Sequence, residues 1–264
     1  MRCWNGWAFS TQPKLSVAMS SPSNPNPDPL AEARRENQEL RSELAQLQSE
    51  FQQFFYAASH DLQEPLRAMI TYAQLLDRQC PADPVAREYS AFLLSGAKQM
   101  KDLLQHLLSY SRAGSSKQRA MVNLNVPLQR ALLKLAAVIQ SSGAHIVRNP
   151  LPDVLADEAE IAQVFENLLS NSLKFRSAAT PEITIGAEQG TDECTVTLRD
   201  NGAGIDPKFS KHVLLPFKRL HGKDVPGNGL GLAICDKIVR AHHGRLWVES
   251  DGAQGTAVHF TLPA

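Results

Sequence analysis

The stretch Ser59-His60-Asp61-Leu62-Gln63-Glu64-Pro65-Leu66-Arg67 places an imidazole nucleophile beside a carboxylate. Far along the chain, Gly227-Asn228-Gly229-Leu230-Gly231-Leu232 opens a helix, where free N–H groups and the positive helix end can meet a polyphosphate. Between them, Asn167 and Asn171 are four residues apart and share one helix face, with Lys174 a turn further on. An amide oxygen can ligate Mg²⁺, and an ammonium can neutralise phosphate oxygens. Asp200-Asn201-Gly202-Ala203-Gly204-Ile205 follows a strand-like run; its carboxylate can accept a hydrogen bond from an amine-bearing ring, and the glycines let that ring approach the backbone. Taken singly these signals are weak, since a lone histidine is most often an ordinary residue, and such glycines and amides usually make turns or solvated faces. Their order in one chain makes them specific.

The elements that must position these groups follow from periodicity. Leu30, Ala33, Asn37, Leu40, Leu44, Leu47, Phe51, Phe54 and Ala58 fall at three- and four-residue steps, the seam of a coiled coil. With Leu30 at an a position Asn37 is also an a position, which favours a parallel two-stranded register and a homodimer; the blander alternative is one amphipathic helix packed on its own chain. Phe55, Ser59, Leu62, Leu66, Met69, Ala73 and Leu76 carry the spacing forward, so at ~100° per residue His60 points away from the stripe toward solvent. Pro65 should bend the helix just beyond it. After a turn around residues 80 to 84, Tyr89, Leu93, Gly96, Met100, Leu103 and Leu107 mark a second helix, and two such hairpins would complete a four-helix bundle.

Beyond Gly114-Ser115-Ser116-Lys117 the pattern turns mixed: strands near 121 to 124 and 144 to 148, and helices over 126 to 141 and 158 to 175. Further strands are expected over 182 to 187, 193 to 199, 246 to 249 and 256 to 262, with a helix over 230 to 242, giving an α+β sandwich. The expected organisation is a disordered leader over 1 to 29, rich in proline and small polar residues, a coiled coil and hairpin over 30 to 113, and a nucleotide-type domain over 114 to 264.

Composition narrows the partners. Lys plus Arg and Asp plus Glu number 27 each, so overall charge gives no support for nucleic acid or an anionic membrane. No apolar run approaches the ~18 residues needed to span a bilayer, and the first segment is poor as a secretory signal. Four cysteines without a C-x-x-C pair fit reduced thiols in a cytosol, so a cytoplasmic location without structural metal is expected.

With these residues in place, residues 50 to 264 resemble the histidine protein kinases of two-component signalling, within the wider Bergerat-type (GHKL) ATPases that include gyrase, heat-shock chaperone and mismatch-repair proteins. Residues 59 to 67 look like the H box, Asn167 to Lys174 like the N box, Asp200 to Gly204 like the first glycine box, Phe217 like part of the F box, and Gly227 to Leu232 like the second glycine box. The wording of residues 59 to 67 and 217 to 222 is similar to kinases downstream of phytochrome-type sensors. The resemblance implies that His60 attacks the γ-phosphorus of Mg-ATP and that the phosphoryl group passes to an aspartate of a response regulator. It further implies that Asp61 orients the imidazole or takes its proton, that Asn171 binds Mg²⁺ with Asn167 organising that site, and that Lys174 contacts phosphate. Asp200 would recognise adenine, Gly202 and Gly204 would line its site, Gly227, Gly229, Leu230, Gly231 and Leu232 would form the cradle, and Lys218 or Arg219 would steady the transferred group.

Residues 206 to 226 would form a lid carrying breaks at Pro207, Gly222 and Pro226. Several positions depart from the family pattern. Leu214 stands where an F-box aromatic is usual and Leu215 where an acid is common, which bears on lid closure. Glu64 stands where strong phosphatases usually carry Thr or Asn to orient a water, so weak or absent phosphatase activity is expected. Asn228 sits where Thr or Ser is frequent. The rival readings are a GHKL-type ATPase without phosphohistidine and a nucleotide-sensing dimeric scaffold. His106, His145, His242, His243 and His259 are expected to be ordinary packing or surface residues. The stretch before residue 30 is too short and polar for a sensor domain, so input is expected from a partner protein, a separate sensor subunit or a domain absent from this chain.

Overall fold

The computed structural model describes residues 29–79, 84–116, 118–177, 179–220, 227–252 and 254–264, without the side chains of residues 31, 48, 51, 52, 54, 55 and 60. The expected leader, the hairpin turn and the end of the lid therefore fall outside the described residues, as does the direction of the His60 imidazole. The chain divides into two compact units, Met1–Ser49 and Glu50–Ala264. The described part of the first is helical, and its Leu40, Leu44 and Leu47 are exposed, as a seam awaiting a second strand would be. Among the described residues no helix is long and apolar enough to cross a membrane.

Helix α1 spans Pro29–Gln79 and remains helical through Pro65; α2 spans Pro84–Arg112. In the second unit these helices make an antiparallel hairpin, held at one end by Ser90 Oγ donating to Asp77 Oδ1 at 3.4 Å and at the other by the Arg112 guanidinium, 5.0 Å from the Tyr56 ring centre. That register puts residue 60 about level with residues 107 to 108 of α2. The face that α1 buries is narrower than its apolar stripe. Ser59, Leu66 and Ala73 are buried at seven-residue steps, and Ser90, Ala97 and Ser111 on α2 at steps of seven and fourteen. These buried side chains are mostly small, and the larger members of each stripe stay outside. Leu62 and Met69 stay 50% and 49% exposed, and Leu93 and Met100 53% and 45%.

The remaining elements are β1 (Ala120–Asn123), α3 (Asn125–Lys134), α4 (Ala136–Ser142), β2 (His145–Arg148), β3 (Asp153–Ala156), α5 (Glu158–Lys174), β4 (Glu182–Gln189), β5 (Glu193–Asp200), α6 (Gly231–Ala241), β6 (Leu246–Glu249) and β7 (Thr256–Pro263). A five-stranded mixed sheet has the order β2-β4-β5-β7-β6, with β2 parallel to β4 and the other pairs antiparallel. One face alternates Ile183 and Ile185 with Val196 and Leu198, and it packs on Phe165 of α5 and Ile238 of α6. Phe165 meets Phe260 edge-on at 5.9 Å.

Two expectations needed revision. The helix anticipated over 126 to 141 breaks at Leu135, whose φ of −95° and ψ of 4° leave the helical region while its N–H still bonds Ala131. Strand β3 was not anticipated; it pairs antiparallel with β1, setting Val154 against Val122 in the core.

Helix α5 carries the amide pair, and its start is fixed by charge. Asp157 caps it by accepting from the Glu160 N–H at 2.9 Å and also accepts from the Ser116 hydroxyl, while its own N–H donates to His242 Nε2 at 3.0 Å. His242, expected to be an ordinary packing or surface residue, is buried, with Nδ1 hydrogen-bonded to Ile238 O. Burial pushes the Asp157 carboxyl up, but the hydrogen bonds from Ser116, Glu160 and Ala159, with His242 nearby, outweigh it and hold it below its ordinary 3.8. A carboxyl depressed in the folded state stabilises above its unfolded pKa, and that stabilisation is lost as pH falls through the folded value. Asp157→Ala is therefore expected to cost about 1–2 kcal/mol in denaturant unfolding at neutral pH. The gap from the parent should narrow below pH 3.8; an unchanged gap there would refute this account.

Candidate active site

Three segments converge where the C-terminal half of α5 meets the end of β5 and the start of α6. Asn171 lies beside Gly231, the first residue of α6: a Cβ on that glycine would come 3.7 Å from the amide nitrogen and 3.8 Å from the amide oxygen. Lys174 Nζ occupies the space that a Cβ on Gly227 would need. A side chain at Gly227 would displace the Lys174 ammonium, and Gly231 leaves the start of α6 bare beside Asn171, so the residues fit a nucleotide polyphosphate approaching backbone at a helix start. Leu230 is buried beneath this turn and Leu232 packs against the core, which anchors the loop from below.

The donor set is cationic. Lys174 Nζ stands 4.6 Å from the Phe175 ring centre, and burial, then the charge of Arg219, hold its pKa below the ordinary lysine value. A half-buried ammonium with a second cation nearby fits an anion, whose binding offsets their repulsion. Lys218 and Arg219 are themselves exposed. Asn167 faces the same region from one turn earlier. Its Nδ2 is buried, and its neighbour is the Cys235 thiol, a weak acceptor whose pKa burial pushes up to about 12. A buried amide beside Asn171 with only so weak a partner suits the outer shell of a metal–phosphate group.

Asp200 ends β5 and is held on three sides. Its Oδ1 accepts from Gly202 N at 2.9 Å and Thr256 N at 3.1 Å, and its Oδ2 accepts from Ser172 Oγ at 2.8 Å. Gly202 is required by close approach: a Cβ there would stand 2.6 Å from Phe175 O. Gly204 turns the chain with φ 74°. Ser172, Thr256 and Gly255 had no signal in the sequence, because their partners lie on other elements.

The described residues between the glycine segments include two 3-10 turns, Pro207–Phe209 and His212–Leu214, the first capped by Asp206. Phe217 has φ 62°, an uncommon conformation for a residue with a side chain, and its N–H donates to Gly229 O at 3.0 Å. The F-box position and the second glycine segment are thereby tied together.

The hairpin is joined to this module through its second helix. Lys237 of α6 donates to Tyr110 O at 2.8 Å and Ser111 O at 3.2 Å, capping the C-terminal end of α2. Glu160 of α5 accepts from Gly114 N at 2.9 Å and Ser116 N at 3.3 Å. Gln163 Nε2 donates to Ser109 Oγ, and the Asn228 amide lies 3.2 Å from His106 Nδ1. Asn228 therefore brings the glycine segment to the level of residue 60 on the hairpin. Asp61 is exposed on α1, and among the described residues it is not part of the converging cluster.

Two family patterns match the chain. The family described as His Kinase A (phospho-acceptor) domain matches residues 52–116, and that described as histidine kinase-, DNA gyrase B- and HSP90-like ATPase matches residues 156–264. Cyanobacterial phytochrome A of Nostoc sp. is 41% identical over 229 residues, 85% of this chain and 30% of that protein. The adaptive-response sensory kinase SasA of Synechococcus sp. is 30% identical over 277 residues, 98% of this chain and 72% of its own length. Among solved structures, full-length ShkA in complex with AMPPNP superposes with a TM-score of 0.61 at 25% identity, over 79% of this chain and 45% of that one. The chain thus spans only about three-tenths of the phytochrome it matches. A phospho-acceptor hairpin followed by this ATPase module, in the order and over nearly the whole length shared with a sensory kinase, places the chain in the sensor histidine kinase family of two-component systems.

Proposed function

We propose that the protein phosphorylates itself on His60 with the γ-phosphoryl group of ATP and passes that group to an aspartate of a response-regulator receiver domain. The observation that carries this reading is the placement of the glycine segment, through the contact of Asn228 with His106, level with residue 60 of the hairpin. The hairpin and the ATP-type module then work as one machine, in which catalysis is mainly positioning and charge neutralisation. ShkA, solved with the adenine nucleotide AMPPNP, supports the choice of ligand.

In this reading Asp200 accepts the exocyclic amine of adenine, and Gly202 and Gly204 let the ring approach. Gly227, Gly229 and Gly231, with Leu230 and Leu232 beneath them, present N–H groups to the phosphates. Lys174 neutralises phosphate oxygens, and Lys218 or Arg219 steadies the transferred group. Asn171 would hold Mg²⁺, with Asn167 organising its surroundings; the ion would supply charge neutralisation on the phosphates. Asp61 orients the imidazole or takes its proton, leaving the other ring nitrogen to attack phosphorus in line as the bond to the β-phosphate oxygen breaks and ADP leaves. The exposed apolar seams of the hairpin and of the helix before it favour a homodimer. The signal would come from a partner protein, a separate sensor subunit or a domain outside this sequence. Glu64, exposed one turn beyond residue 60, supports weak or absent phosphatase activity.

Incubation with γ-labelled ATP and Mg²⁺ tests the reading. The parent should acquire acid-labile, alkali-stable label, and His60→Gln should acquire none. Label persisting in His60→Gln would place the nucleophile elsewhere. ATP turnover without label would point to a simple ATPase, and binding alone to a scaffold.

A further inference from the structure

The two oxygens of Asp200 keep different company. Oδ1 receives two backbone N–H groups, from Gly202 and Thr256, which occupy both of its lone-pair directions. Among the described residues Oδ2 receives only the Ser172 hydroxyl, at 2.8 Å, and so keeps one direction open. Ser172 follows Asn171 on α5 and is buried, 5% exposed, so water does not replace it readily as the donor. The amide pair's helix thereby reaches across to the strand end that carries the base-reading carboxylate.

We propose that Ser172 is a positioning residue for base recognition: it fixes the plane of the Asp200 carboxylate so that the open direction on Oδ2 meets a purine 6-amino group. This inference rests on the reading of Asp200 as the adenine acceptor and adds a determinant of specificity. A hydroxyl has one proton to donate. Because Ser172 spends that proton on Oδ2, neither group has a hydrogen to offer a purine 6-carbonyl. A 6-oxo purine thus meets acceptor against acceptor, or draws the serine proton away and leaves Oδ2 unpaired. Either outcome disfavours it, since a buried acceptor left unpaired is costly. The adenine amine supplies the donor that Oδ2 lacks.

The test compares binding of Mg-ATP and Mg-ITP, which differ at the 6-amino against 6-oxo position, by calorimetry on the full chain. Ser172→Ala should bind ATP about tenfold more weakly, the effect of a lost hydrogen bond to a charged group. Its affinity for ITP should stay within about twofold, so the ATP-over-ITP preference falls about tenfold. A general disturbance of the site would weaken both nucleotides together, leave the preference intact and overturn the proposal; so would unchanged binding of both. Asp200→Asn separates the two levels of inference. If that variant keeps the parent's preference, the reading of Asp200 itself has failed. If Asp200→Asn loses the preference and Ser172→Ala keeps it, Asp200 reads the base without help from Ser172.

Discussion

Gly229→Ala is expected to weaken ATP binding about 100-fold while the protein stays folded. Gly229 has φ 67°, where a Cβ costs on the order of 1 kcal/mol before any contact is counted. The contacts are worse than the torsion. An added Cβ would stand 2.7 Å from Lys218 O and 3.0 Å from Phe217 C, both backbone atoms that cannot rotate away. Relief therefore requires the two segments to part, which breaks the hydrogen bond from Phe217 N to Gly229 O and releases Phe217 from its left-handed conformation. The cradle loses its shape, and Lys218 and Arg219 lose the link that holds them near the phosphates. The core beneath depends on Leu230, Ile234 and Ile238 and should survive. Calorimetric titration with Mg-ATP, beside a thermal melt without nucleotide, checks both halves. Affinity within about threefold of the parent would show that this tie does not shape the cradle.

How far such a site can be read from sequence depends on whether its groups lie on one element. Asn167, Asn171 and Lys174 were legible because helical spacing alone puts them on one face, and α5 occupies Glu158–Lys174 almost as the pattern requires. The glycine segment was legible because it precedes a strongly amphipathic helix. Ser172 was hidden: on the same helix it reads as an ordinary small residue, and only the arrival of β5 shows its hydroxyl facing Asp200. Lys237 and Glu160 were hidden for the same reason, since each caps backbone groups of the hairpin end far away in the chain. His106 looked like a surface residue, and its contact with Asn228 depends on how α2 docks. The short strand β3 was lost because four residues just after Pro150 and Pro152 give alternation too little length to register. On the hairpin, periodicity gave the apolar stripes but could not divide them between the intramolecular face and the outer one.

That division leads to the second large effect: Leu62→Glu combined with Met69→Glu is expected to convert a dimer into monomers at micromolar concentration. Each chain satisfies its own hairpin with Ser59, Leu66 and Ala73 against Ser90, Ala97 and Ser111, and leaves Leu62, Met69, Leu93 and Met100 about half exposed. A soluble hairpin gains about 1.5–3 kcal/mol for each such side chain that it fully buries. A second copy offers the matching seam, completing a four-helix bundle. Two glutamates per chain place four carboxylates in that apolar layer. Each must be desolvated without a partner or take up a proton, at a cost of several kcal/mol, so the dimer should weaken by more than about a thousandfold. Sedimentation velocity across a concentration series reads this directly. Asp200, Lys174 and Gly229 lie in the ATP-type module, so nucleotide affinity should be retained by the monomer, which separates loss of assembly from loss of fold. A parent that sediments as a monomer at tens of micromolar, or a double variant that stays dimeric, would mean that the outer seam serves some other contact.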